Sequence, residues 1–156
     1  MIKSCSGMIF AAMLALGQEK SAKQDLVERE IAGDRFMAGG AVRVNTPVAG
    51  DLFASGGSVS VRAEVQGDAV AAGGDVRLES PIKQGGVYAA GGRVLVNTEV
   101  SRNIRMAGGT IEVGPQSQIH GNASLVGGQI EILGTVNGYL QATGGRVYIN
   151  APVAWR

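Results

Sequence analysis

Residues 38–57 read Ala-Gly-Gly-Ala-Val-Arg-Val-Asn-Thr-Pro-Val-Ala-Gly-Asp-Leu-Phe-Ala-Ser-Gly-Gly. A Gly-Gly pair stands near each end of this stretch, and the text returns along the chain. The pairs begin at Gly39, Gly56, Gly73, Gly91, Gly108, Gly127 and Gly144, at intervals of 17, 17, 18, 17, 19 and 17 residues. A near-constant period of this kind marks a repeat architecture. Alignment on the pairs yields columns. Two residues beyond each pair stand Val42, Val59, Val76, Val94, Ile111, Ile130 and Val147. Two further on stand Val44, Val61, Leu78, Val96, Val113, Ile132 and Ile149. A third column is Ile31, Val48, Val65, Ile82, Val100, Ile119, Val136 and Val153. Leu52, Ala69, Val87, Ile104, Ala123 and Leu140 form a fourth; Met37, Ala54, Ala71, Ala89, Met106, Leu125 and Ala142 form a fifth.

Within each repeat the apolar residues alternate with variable ones, which is the period of a strand. Each repeat holds three short strand-like pieces, separated by Gly-Gly, by a turn such as Asn45-Thr46-Pro47, and by Gly-Asp. One such coil cannot bury its own inner face. Stacked coils can, because each strand pairs with its counterpart in the next coil. The expected fold is therefore all-β: a single-stranded parallel β-solenoid of about seven coils, roughly 34 Å long at ~4.8 Å per coil. An antiparallel sandwich has similar strand spacing but does not require one residue type in one column seven times. The extra residues fall in turns, one near Gln84-Gly86 and two in Gly114–Gln118. A left-handed hexapeptide helix uses 18 residues per coil, so the modal 17 favours the right-handed form.

The column pattern resembles the bactofilin family, the bacterial polymer-forming β-helix proteins, over residues 31–156. The resemblance implies a right-handed, roughly triangular coil that polymerises by stacking its ends, without nucleotide and without catalytic residues. Bactofilins act on the cytoplasmic side of the membrane. This chain begins differently, and so looks more like the bactofilin-like modules of envelope and membrane-anchored proteins.

Residues 1–17 read as an address. Lys3 supplies a positive start, Gly7–Leu16 is an apolar run of ten, and Ala15-Leu16-Gly17 offers small residues for cleavage. The run is too short to span a bilayer. The expectation is a secretory signal cut after Gly17, and hence export to periplasm, envelope or medium. The alternatives are an uncleaved membrane-associating segment and an ordinary buried segment. Residues 18–30 are polar and Gly-free, a possible short helix capping the solenoid or a frayed lead-in.

Composition excludes several classes. Lys plus Arg is 14 and Asp plus Glu is 13, so no basic excess exists to hold nucleic acid. One His and one Cys rule out a disulfide framework and a Cys-rich zinc site. Glycine, at 25 residues, is about twice its usual ~7% share, while the aromatics are three Phe, three Tyr and one Trp. His120 reads as a surface residue, no Ser-His-Asp set can be assembled, and no Gly-Lys-Ser/Thr follows a glycine pair. No enzyme and no cofactor are expected.

Asp34, Asp51 and Asp68 form a column that continues as Gly86, Asn103, Asn122 and Tyr139. Its reading is a turn role, carbonyl oxygens bonding backbone N–H groups, with a bound cation as the rival. An outward column begins Phe36, Phe53, Val70 and Tyr88, an apolar stripe. Either a partner or sugar uses it, or residues 18–30 lie across it with Leu26 and Val27 on the rings. Tyr148, Ile149, Val153 and Trp155 are candidate self-association residues, because end coils leave strand edges open. The leading expectation is a non-enzymatic envelope scaffold whose partner is itself, as an end-to-end dimer or filament, with membrane or envelope components as further partners. The alternative is an exported binding module, adhesin-like or carbohydrate-contacting.

Overall fold

The computed structural model describes residues 26–151. It is a parallel β-solenoid of about seven turns, with coils of about 17 residues. Seven long strands carry the coils: β2 (Asp34–Val44), β3 (Leu52–Val61), β4 (Ala69–Leu78), β5 (Val87–Val96), β7 (Ile104–Val113), β9 (Ala123–Ile132) and β11 (Leu140–Ile149). Each pairs in parallel with the next in sequence order. The register matches the sequence columns, with Val59 opposite Val76, Val76 opposite Val94, and Val94 opposite Ile111.

Each long strand supplies two sides of the coil. In β3 the buried positions are 52 and 54, then 59 and 61. Inward parity is lost across Gly56-Gly57, which a single flat strand cannot do; the chain turns a corner there. None of these glycines has positive φ; among the described residues, the positive-φ positions are Ala32 and Gly33. The glycines are needed for room. A Cβ on Gly56 would sit on the carbonyl oxygen of Gly39, and one on Gly73 on that of Gly56.

The third side is short. Val48, Val65, Ile82 and Val100 are joined by parallel bridges, and β6 (Glu99–Val100), β8 (Gln118–Ile119) and β10 (Thr135–Val136) continue it. The irregular spacings are absorbed here: Val65 to Ile82 is regular while Ala69 pairs with Val87, so the extra residue lies in the turn after Ile82. The core runs down the middle. Val59, Val76, Val94, Ile111 and Ile130 are all at most 1% exposed, as are Leu52, Ala69, Val87 and Ile104. Each buried Val, Leu or Ile contributes ~1.5–3 kcal/mol relative to exposure. Since aliphatics stack on aliphatics, a chain with few rings still fills its interior.

The N-terminal end departs from the repeat. β1 (Val27–Ile31) pairs antiparallel with β2, Val27 opposite Ala38 and Ile31 opposite Asp34. The stretch is strand where a helix was one expectation, because the unpaired edge of β2 offers backbone partners. Ala32 and Gly33 reverse the chain with φ of 54° and 92°, the signs of a two-residue hairpin turn. Ile31 thereby leaves the third column and lies 42% exposed; parallel register begins at Arg35 opposite Leu52.

Candidate functional site

Three features stand out: a ladder of side-chain oxygens, a capped N-terminal end against a last described coil with exposed apolar rungs, and an apolar side. The ladder runs along one corner. Asp34 Oδ1 accepts the N–H of Asp51, Asp51 Oδ1 that of Asp68, and Asp68 Oδ1 that of Gly86, each at 2.8 Å. Asn103 and Asn122 repeat the bond to Asn122 and Tyr139, also at 2.8 Å. The carboxylates therefore perform the turn role, reaching one coil onward rather than locally. Asn serves as well as Asp because only an acceptor oxygen is needed. Among the described residues no group of three His, Cys, Asp or Glu is disposed to hold a metal. His120 is exposed on the third side, with Nε2 2.9 Å from Glu99 Oε1 and Nδ1 3.3 Å from the Asn137 amide. It ties three successive coils together.

The two ends differ chemically. Arg35 occupies the column that Leu52, Ala69 and Val87 fill with apolar side chains. Its side chain is only 12% exposed and is held by Glu28 at 3.6 Å and Glu30 at 3.4 Å, both on β1. It also donates to the Thr46 carbonyl at 3.1 Å and to the Thr46 hydroxyl. The first coil is thus plugged by an ion-paired guanidinium and edged by a strand reading Val-Glu-Arg-Glu-Ile. Charged edge strands of this kind discourage further pairing. At the other end, β11 has Val147 39% and Ile149 38% exposed, in columns that are otherwise buried. Tyr148 beside them is 54% exposed. Of the candidate association residues, Tyr148 and Ile149 thus lie side by side on the last described coil; Val153 and Trp155 fall outside the described residues, as does the address segment 1–17.

The apolar side is the first half of each long strand. Phe36, Phe53 and Val70 are half-buried and Tyr88 is 41% exposed. The rings of Phe36 and Phe53 stack with centroids 4.9 Å apart and planes 5° from parallel. A second outward column completes the surface with Ser55, Ala72, Ala90, Ala107 and Val126; its first member, Ala38, is buried beside β1. This column was not singled out from the sequence, although it stands two residues after the stripe in every repeat. The two columns bear one charge, Arg105, across the first six coils. The second side instead presents Asp75, Arg77, Arg93, Glu112 and Glu131 among its outward residues. Val27 lies beside Ala38 in the sheet and Leu26 is 46% exposed, so β1 extends the sheet beside Phe36; residues 18–25 of the expected cover lie outside the described residues.

No protein-family model, curated protein or solved structure matches the chain.

Proposed function

We propose that the chain is a non-enzymatic scaffold of the bacterial cell envelope, bactofilin-like in design, that self-associates through a solenoid end. The observation that carries the reading is the exposure of Val147 and Ile149 on β11, where the same columns are otherwise sealed. Strand edges with apolar rungs invite a further rung. The ion-paired plug at Arg35 and the charged strand β1 oppose pairing at the first coil, so the favoured contact is last coil against last coil. Export through residues 1–17 is part of the same proposal. It rests on Lys3, the apolar run Gly7–Leu16 and the small residues after it. N-terminal sequencing of the fractionated protein should find a mature form beginning at or near Gln18 outside the cytoplasm.

Sedimentation velocity at tens of micromolar tests the contact. Wild type should associate, and a folded Ile149→Lys variant should form smaller assemblies. A strictly monomeric wild type, or an unchanged distribution in the variant, overturns the reading. The alternative, an exported binding module, draws on the apolar side, whose stacked Phe36 and Phe53 offer a flat platform to a ligand.

A further inference from the structure

We infer that the corner of the rod around Asn103 is a binding site for an acidic saccharide, a sugar chain that carries carboxylates. This corner joins the third side to the long strands, and the oxygen ladder runs along it. In the early coils it bears Asp34, Asp51 and Asp68. In the later coils its sign reverses. Residues 83–88, 101–105, 120–124 and 137–141 continue the same corner, and they include Lys83, Arg102 and Arg105 but no acid. The chain as a whole is nearly balanced, with 14 basic and 13 acidic residues. Lys83 is engaged by Glu64 at 3.8 Å. Arg102 and Arg105 are exposed and have no ion-pair partner among the described residues.

Arg102 breaks the repeat. Its column is otherwise glycine: Gly33, Gly50, Gly67, Gly85, Gly121 and Gly138. From Gly50 onward a Cβ in this column would overlap the ladder oxygen of the preceding coil, Asp51 Oδ1 at Gly67 and Asn103 Oδ1 at Gly121. Before Arg102 the ladder position is Gly86, which has no such oxygen, so a side chain fits. The same omission frees a donor. The ladder N–H groups of Asp51, Asp68, Gly86, Asn122 and Tyr139 each meet an Oδ1 at 2.8 Å. The N–H of Asn103 has no acceptor among the described residues. It stands between the two unpaired arginines in sequence, where an oxygen of an anionic ligand can supply the missing acceptor.

A groove of about 340 Å³ runs along the rod from this point, with Asn103, Arg105, Asn122, Ser124, Tyr139 and Gln141 in its lining. That volume lies within the range of small-ligand sites. Its polar groups are rich in donors. Asn103 and Asn122 spend their Oδ1 atoms on backbone N–H groups, so their Nδ2 groups remain for a ligand. Aspartate would serve the ladder equally; asparagine keeps negative charge away from Arg105 and adds the donors. Ser124 and Gln141 both donate and accept. Tyr139, 79% exposed, offers a ring at the far end.

Charge and hydrogen-bonding capacity select the ligand. Unpaired guanidiniums ask for a carboxylate, which arginine meets with paired N–H groups. The neutral amides and the hydroxyl outnumber the guanidiniums and match the hydroxyls of a sugar, while an exposed tyrosine ring suits its apolar face. The lining residues come from successive coils, Asn103 to Asn122 to Tyr139, a run of ~10 Å at ~4.8 Å per coil that has room for more than one sugar ring. A nucleic acid would need a continuous basic track for its phosphates, which Arg102 and Arg105 alone do not make. The groove faces sideways, so the site stands independently of the proposed end contact.

Isothermal titration calorimetry on the full-length chain tests the site with a galacturonic acid tetramer, its neutral methyl ester and inorganic phosphate. The acid tetramer should bind saturably, and more weakly as salt rises. Its dissociation constant should lie about tenfold below that of the ester. Phosphate at equal concentration should not displace it. The double variant Arg102→Gln, Arg105→Gln should raise the constant for the acid by about tenfold or more. Tyr139→Ala should weaken acid and ester alike, and Arg93→Gln, on the second side, should change neither. Circular dichroism checks that each variant keeps wild-type strand content. The wild type also gives a reading that needs no variant: the Asn103 amide resonance should shift as the acid tetramer is added. The site is overturned by a wild type that shows no saturable binding at ~1 mM tetramer, by equal affinity for acid and ester, or by an Asn103 resonance that stays in place. A folded double variant that binds like wild type overturns it too, as does an equal loss in Arg93→Gln. Displacement by phosphate would show a site for any anion and overturn the saccharide assignment.

Discussion

At the residue scale, two kinds of position hold the coils in register. From Gly56 onward, the first glycine of each corner pair has no room for a side chain. A Cβ on Gly91 would overlap the carbonyl of Gly73, whereas one on Gly92 would meet the Gly74 oxygen at 3.1 Å. Gly91→Ala should therefore cost ~2–3 kcal/mol by forcing neighbouring coils apart, and Gly92→Ala within ~1 kcal/mol. Equal shifts in urea unfolding midpoint would show that the corner is not the point of closest approach. The second kind is the oxygen ladder. Asp51→Ala removes the acceptor of the Asp68 N–H and should cost ~1–2 kcal/mol. Asp51→Asn keeps an acceptor and relieves repulsion between stacked carboxylates, so its stability should match or exceed wild type. If Asn is as damaging as Ala in urea titrations, the charge itself is required, as a bound cation would demand.

At the element scale, the inner rungs and the N-terminal hairpin make opposite predictions. Val96 is fully buried on β5, between Leu78 and Val113. Val96→Asp leaves a carboxylate without a partner and should cost several kcal/mol, enough to unfold a marginal domain. Its neighbour Asn97 sits at the turn, where Oδ1 accepts the Gln116 N–H at 3.0 Å. Asn97→Asp retains the acceptor and should change stability by less than ~1 kcal/mol. Similar thermal shifts for the two would refute the inward assignment. In the hairpin, Ala32 adopts φ of 54°, a left-handed conformation that costs a non-glycine residue ~1–2 kcal/mol. Ala32→Gly should release part of that strain, raising amide-exchange protection in β1 by up to about tenfold. Unchanged exchange would mean that the ion pairs of Arg35, rather than the turn, govern the hairpin.

At the scale of the whole molecule, each coil touches its neighbours above and below, so stability is a sum over coils and interfaces. Removing one coil should shorten the rod without destroying it. Deletion of Leu52–Asp68 joins Asp51 to Ala69 in register. It also places the Asp51 carboxylate where Asp68 now accepts the Gly86 N–H. The shortened chain should unfold cooperatively, with a denaturant slope lower by about one seventh, in proportion to the surface it buries. A deletion variant without strand content in circular dichroism would show that the coils are not interchangeable units.

Much of this was legible in the residues themselves. A 17-residue period, β-branched columns and glycine corners admit one economical solution, since a coil with an apolar inner face is stable only when stacked. The rungs, the sites of the extra residues and the stripe of Phe36, Phe53, Val70 and Tyr88 follow from alignment alone. What the alignment held but did not reveal is instructive. Arg35 falls in an apolar column, yet only the hairpin with Glu28 and Glu30 explains how a guanidinium can stand over a core. The Asp column pointed to local turns, but the bonds run between coils, because the partner N–H lies 17 to 19 residues away in sequence and one coil away in space. The direction of β1 depended on which backbone groups the first coil left open. Periodicity records what every coil shares, so the residues alone set the rod; how the first coil is finished depends on which backbone groups β2 leaves without a partner, and only the folded stack shows the hairpin and its Arg35 plug.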